Sequence, residues 1–172
     1  MMKEISVKEL QLNPMTMISD DWLLITAGNE ERGFNTMTAS WGHLGALWAH
    51  NKGLPTAIVY VRPQRYTKEF VDREEYFTLS FFGKEYKRQL AYIGTHSGRD
   101  EDKVGKMELT PGFDMDTTYF EEADLVLICR KIYRAPIVEE GFIDKEIMEQ
   151  TYPERDFHDM YVGEIQKVLV KE

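Results

Sequence analysis

Short apolar runs broken by turn signals recur along the whole chain, and they restrict what it can fold into. WLLITAG (22–28) is a compact apolar run ending at a Gly-Asn turn signal. NEERGFN then reads as a hairpin loop, and TMTASW (36–41) as a second strand. TAIVYV (56–61) is β-branched and apolar, the composition of a buried strand. YFTLSFF (76–82), DLVLICRKIYR (124–134) and HDMYVGEIQKVLVKE (158–172) add three more. The helical segments between them are brief. TKEFVDREE (67–75) sets Phe70 and Val71 among charges, as a surface helix does, with Thr67 as its expected N-cap. KEYKRQLAYIG carries Tyr86, Leu90 and Ile93 at helical spacing and stops at Gly94. THSGRDEDKVGKM (95–107) reads as a loop entering a helix near Asp100, and EEGFIDKEIMEQTY (139–152) as partly helical. The expected fold is mainly β (α+β), a β-barrel decorated by short peripheral helices.

With 172 residues and no repeat, low-complexity tract or linker, a single domain over 1–172 with a sizeable core is expected. Thirty acids against 21 bases give a net charge of −9. That argues against a nucleic-acid or anionic-membrane surface, although a local basic patch can still hold a phosphate. Cys129 is the sole cysteine, so neither an internal disulfide nor a Cys-rich metal site is open to the chain. In LVLIC it reads as a small buried hydrophobe. MMKEISVKELQLNPMTM has no secretory pattern and no run reaches a membrane span of roughly 20 apolar residues, so the cytoplasm is the expected compartment. His43, His50, His96 and His158 lack metal-ligand spacing, so no metal is expected. The nucleophile-elbow, P-loop and Rossmann glycine patterns are missing too, which weakens hydrolase, nucleotidase and Rossmann readings.

Four segments could carry chemistry. In FNTMTASWGHLGALW (34–48), hydroxyls at Thr36, Thr38 and Ser40 alternate with Met37, Ala39 and Trp41. A water-facing strand can do this, and so can a strand lining a pocket for a flat ligand with polar edges. In VRPQRYTKEF, Arg62 and Arg65 follow a buried strand and Tyr66-Thr67 opens a helix. Guanidiniums beside a helix start suit an anion; pairing with Glu69 or Asp72 on a solvated turn is the plain alternative. In THSGRDEDK, Ser97, Gly98 and Arg99 converge on another helix start, with Lys103 about a turn further in. Asp100, Glu101 and Asp102 complement that helix dipole but do not suit a pure anion site. In LSFFG, Ser80, Phe81 and Phe82 end a strand, either as core or beside a planar ligand.

Taken in order, FNTMTASW, VYVRPQRYTKEFV, YFTLSFF, GTHSGRDEDKV and DMYVGEIQKVLV resemble the flavin reductase-like family, nearest to its flavoredoxin-type members, over about Trp22 to Val170. The resemblance implies an FMN-binding split β-barrel of Greek-key type, assembled as a homodimer with flavin near the subunit interface. It implies that Asn35, Thr36, Met37, Thr38, Ala39, Ser40 and Trp41 run beside the isoalloxazine, hydroxyls and main chain meeting its polar edge. Arg62, Tyr66 and Thr67 then fall at the phosphate and ribityl end. Ser80, Phe81 and Phe82 line the flavin. Ser97, Gly98, Arg99 and Lys103 complete the phosphate site. His158 resembles a histidine near the redox edge of the ring, a candidate proton donor. The implied activity is an NAD(P)H-dependent flavin oxidoreductase. Its alternatives are an electron carrier reduced by a redox protein partner and a flavin-binding dimer without turnover. One departure is the segment GHLGALWAHNKG before a single Pro55, read as an inserted loop over the flavin or on the dimer surface.

Overall fold

The computed structural model describes all 172 residues. The chain forms ten strands and five short helices. β1 (Met2–Ile5) leads through a capped turn to α1 (Pro14–Thr16), which widens into a further helical turn at Met17–Asp21. β2 (Leu23–Asn29) and β3 (Gly33–Ala39) follow as one hairpin, and β4 (His43–Leu47) and β5 (Leu54–Val61) as another. Then come α2 (Thr67–Arg73), β6 (Tyr76–Phe81), α3 (Lys87–Thr95) and α4 (Lys103–Lys106). β7 (Pro111–Asp114) and β8 (Thr117–Phe120) form a separate hairpin, and β9 (Leu125–Pro136), α5 (Lys145–Thr151) and β10 (Asp159–Lys171) close the chain. No helix is long and apolar enough to cross a membrane.

Eight strands form one antiparallel sheet in the order β3-β2-β6-β9-β10-β5-β4, with β1 paired to the C-terminal part of β10. The sheet curls without closing. Its two end strands, β3 and β4, are nevertheless joined by only Ser40, Trp41 and Gly42. β2, most of β6 and the first half of β9 are buried on both faces, which suits their apolar runs. Leu23, Ile25 and Ala27 of β2 pack with Leu125, Leu127 and Cys129 of β9 in one core. Leu24, Val126 and Ile128 face a second core with Phe120 and with Leu90 and Ile93 of α3. Burial pushes the Cys129 thiol well above its ordinary range, as expected of a small hydrophobe. Gly163 of β10 lies at a register shift; a Cβ there would sit 2.5 Å from the Phe77 ring and 2.7 Å from the Cys129 Cβ.

The structure corrects several local expectations. The segment after Trp41 is not simply an inserted loop: His43–Leu47 is β4, paired to β5. Thr67 is the first residue of α2 rather than its cap, because its hydroxyl accepts from Asn35 instead of a helix N–H. α4 begins at Lys103, since the Asp102 side chain accepts from the Gly105 N–H and fixes the start there. β1, β7 and β8, four residues each, carry no apolar run of their own and are defined by their partners.

Candidate functional site

As an end strand, β3 has an outer edge that pairs with no other strand. Residues 37–39 of this strand line one wall of a groove, and Tyr60, Arg62 and Arg65, at and beyond the end of β5, line the other. Three cavities run end to end here. A polar one of 130 Å³ is bounded by Asn35, Arg65, Thr67, Ser97 and Lys103. A central one of 230 Å³ shares Met37 and Arg65 with it and reaches His158. An apolar one of 670 Å³ joins the central cavity at Ser40, Trp41 and Tyr60.

The polar end is built around Lys103, which is 4% exposed. Its ammonium donates to the carbonyls of Ile93 at 3.1 Å and His96 at 3.0 Å, both at the C-terminal end of α3. It forms no ion pair. Burial, with the Arg65 charge nearby, lowers its pKa to about 8. A buried cation without a counter-ion is costly, so the site is suited to receive an anion. Arg65 stands beside it, tied to the Gly94 carbonyl at 2.8 Å. Asn35 donates to the Thr67 hydroxyl at 2.8 Å and so ties β3 to α2. Gly98 rests on that pair: a Cβ there would lie 2.1 Å from Asn35 Oδ1. Ser97 accepts from the Arg99 N–H at 3.1 Å.

Arg99 itself is a strap on the outside. Its guanidinium lies 4.6 Å from the Tyr66 ring centroid, donates to the Gln64 carbonyl and pairs with Glu69. The counter-charge comes from Glu69, across space, rather than from the three acids next to Arg99 in sequence.

Arg62 faces the central cavity, not the polar end. It pairs with Asp156 at 2.7 Å, donates to the Thr151 carbonyl at 3.3 Å and lies 5.2 Å from the Tyr152 ring centroid. His158 is buried beside it. Its Nδ1 shares a 2.8 Å hydrogen bond with the Tyr152 hydroxyl, and its ring centroid is 4.7 Å from that of Trp41. Burial, then the Arg62 charge, lowers the His158 pKa to about 4. The imidazole is therefore neutral near pH 7: it offers hydrogen bonds, not a positive charge.

Not every residue singled out by sequence meets the groove through its side chain. The Thr36 hydroxyl is 2.8 Å from that of Thr26 and donates to the Ile25 carbonyl; the Thr38 hydroxyl donates to the Leu90 carbonyl at 2.5 Å. Both point into the fold, so the outer edge of β3 offers its main chain instead. Ser80, Phe81 and Phe82 are buried, Phe81 in one core and Phe82 in the other, and none lines the three cavities. Asn35, Met37, Tyr66, Thr67, Ser97, Gly98 and Lys103 do meet at the polar end, and Ala39, Ser40, Trp41, Arg62 and His158 around the centre. Sequence reasoning missed Tyr60 and Tyr152. Tyr60 sits inside a run that signalled only a strand, and Tyr152 is brought to His158 by the fold of α5.

Comparison with known proteins fits this arrangement. The family model described as "Flavin reductase like domain" matches residues 15–172. No curated protein sequence matches. Among solved structures, flavoredoxin of Desulfovibrio vulgaris (Miyazaki F) is 25% identical with a TM-score of 0.63, covering 88% of this chain and 69% of its own. Flavoredoxin from Methanosarcina acetivorans is 20% identical with a TM-score of 0.66, covering 95% and 76%. A putative flavin reductase with split barrel domain from Shewanella frigidimarina is 17% identical with a TM-score of 0.65, covering 96% and 77%. The open eight-stranded sheet is thus a split barrel.

Proposed function

The chain belongs to the flavin reductase-like domain family, and from that premise we propose that it binds FMN along the groove and works as a flavin-dependent oxidoreductase reduced by NAD(P)H. The observation that carries the reading is Lys103: a buried cation, held by two carbonyls and no carboxylate, at the polar end of a groove whose other end is apolar. This polarity matches a ligand with a phosphate at one end and a planar ring at the other. Lys103 and Arg65 would hold the phosphate, with Thr67 and Ser97 as hydroxyl partners and Gly98 leaving room for them. The main chain of residues 37–41 would meet the polar edge of the ring, and Trp41 and His158 would flank it. Neutral at pH 7, His158 would act there as a hydrogen-bonding group and Tyr152 as its anchor.

FMN supplies the two-electron redox chemistry when bound. The protein positions it and surrounds it with donors. Exposed apolar side chains that line the large cavity, among them Met15, Trp41 and Ile147, support a homodimer that covers them. Likeness to flavoredoxins favours a second reading, an electron carrier reduced by a protein partner.

Purified protein mixed with FMN should gain a bound-flavin spectrum, and stopped-flow mixing with NADH or NADPH should bleach it rapidly. Bleaching by a reduced redox protein alone would select the carrier. No binding of FMN would overturn both. Light scattering should report a dimer at micromolar concentration.

A further inference from the structure

His96 caps the C-terminus of α3 and borders the polar cavity together with Arg65 and Lys103. Its ring is held in one orientation. It stacks on the Tyr92 ring, 3.7 Å between centroids and 10° between planes, and the Tyr92 hydroxyl is itself fixed by a 2.7 Å hydrogen bond to Glu101. His96 Nδ1 lies 2.9 Å from the Tyr92 carbonyl oxygen, which only accepts, so Nδ1 carries a hydrogen. Thr95 Oγ1 stands 3.1 Å from Nδ1 and 3.1 Å from the Ala91 and Tyr92 carbonyls. Its own hydrogen goes to one of those carbonyls, so toward Nδ1 it too accepts. With Nδ1 committed as a donor, Nε2 of the neutral ring is a bare acceptor, and it has no hydrogen-bond partner within the protein. The other charges around the ring are few. Lys103 and Arg65 share the cavity, and Glu101, which holds Tyr92, is paired with Lys106. Two of the three Lys103 N–H groups are already given to carbonyls, which leaves one for an anion.

We infer that His96 is a proton-linked anion ligand: when a phosphate dianion enters the polar cavity, His96 takes a proton from solvent onto Nε2, and the imidazolium donates that N–H to a phosphate oxygen. Negative charge close by favours the charged ring, and imidazole is the side chain whose charge changes between pH 5 and 8. The locked Nδ1–H is kept, because an imidazolium donates from both nitrogens, so protonation needs no rearrangement of the ring on Tyr92. The neutral ring is no substitute, since its Nε2 lone pair would face the oxygens of the dianion. This inference deepens the flavin reading and rests on its placement of a phosphate at the polar end; inorganic phosphate tests it apart from the flavin.

The experiment uses the full-length protein at pH 7. Calorimetric titrations with FMN and with riboflavin are run in PIPES and in Tris, whose ionisation enthalpies differ, so that the protons exchanged on binding are counted. Lys103, with a pKa of about 8, takes up about a tenth of a proton at this pH, and a phosphate monoester, with a second pKa of about 6, releases about as much, so these two cancel. FMN should therefore bind with uptake of about half a proton or more, and riboflavin with none. His96→Phe keeps a ring on Tyr92 and lacks the nitrogens. Its uptake with FMN should fall below about a tenth of a proton and its FMN affinity about fivefold, with riboflavin within about twofold. ¹⁵N spectra of the His96 ring in the wild type give a second readout: millimolar inorganic phosphate should move Nε2 from the position of a bare nitrogen to that of a protonated one. Equal proton uptake in wild type and His96→Phe, equal uptake with FMN and riboflavin, or an Nε2 signal that phosphate leaves in place would each overturn the inference. FMN bound without proton uptake removes this inference and leaves the flavin reading standing. Protonation of Nε2 by phosphate in a protein that does not bind FMN removes the flavin reading and keeps this one.

Discussion

The two ends of the groove solve opposite problems. At the polar end, a single cation is buried among carbonyls, and the local structure is strained electrostatically rather than geometrically. Lys103 gains two hydrogen bonds, yet its pKa falls, because desolvation outweighs them. At the apolar end, aromatic and aliphatic walls enclose space lined by no Asp, Glu, Lys or Arg, and the Arg62 guanidinium over the Tyr152 ring is already paired with Asp156. The first region is costly until an anion arrives. The second is inexpensive to keep empty of charge and unsuited to anions. A ligand with one charged terminus can therefore lie in the groove in only one direction.

The sharpest way to break this comparison is Lys103→Met. It should weaken FMN about 100-fold, since a charge-assisted contact is worth roughly 2–3 kcal/mol, and leave riboflavin, which lacks the phosphate, nearly unchanged. The flavin-free protein should melt at the same or a higher temperature, because a buried unpaired charge has been removed. Equal losses for the two flavins in isothermal titration would detach Lys103 from the phosphate.

A second effect follows from the same residue. Its folded pKa of about 8 lies below the ordinary lysine value of 10.5, so the unfolded chain binds the proton more tightly. Lys103 therefore opposes folding below about pH 8, and its contribution to stability improves as pH rises from 8 toward 10.5. FMN affinity moves the other way: it should fall above pH 8, by up to about tenfold per pH unit, as the cation is lost. Riboflavin affinity should stay flat, and Lys103→Met should abolish the FMN dependence. A flat FMN profile from pH 7 to 10 in wild type would contradict the assignment.

Trp41→Ala probes the other end. Loss of aromatic area should cost FMN and riboflavin alike, about tenfold each, because the contact is with the ring they share. A loss confined to FMN would place Trp41 with the phosphate and reverse the proposed direction.

Arg99→Ala should have the smallest effect, under about threefold on FMN. Arg99 is 45% exposed and already paired with Glu69, which is 60% exposed, and such surface pairs contribute little. A tenfold or larger selective loss of FMN would show that the strap turns inward on binding.

The strands, their buried character and the shortness of the helices were legible in the sequence, because β-branched apolar runs bounded by turn residues have few other uses. The basic and hydroxyl-bearing segments around residues 62–67 and 97–103 were legible too, since Arg, Lys, Ser and Gly beside a helix start are a local pattern. The tertiary structure decided how those segments divide the work. Arg65 and Lys103 meet at one cavity while Arg62 turns to Asp156, a partner 94 residues away, and Arg99 turns outward to Glu69. Strand periodicity placed Thr36 and Thr38 on one face, but pairing sets Thr36 opposite Thr26 of β2, and α3 packs over Thr38. β4 was hidden because a five-residue strand rich in Gly and Ala has no signal of its own and exists through β5. Burial was written in the composition of each run; which charge stays unpaired depends on distances between segments far apart in the chain, and only the folded molecule fixes those.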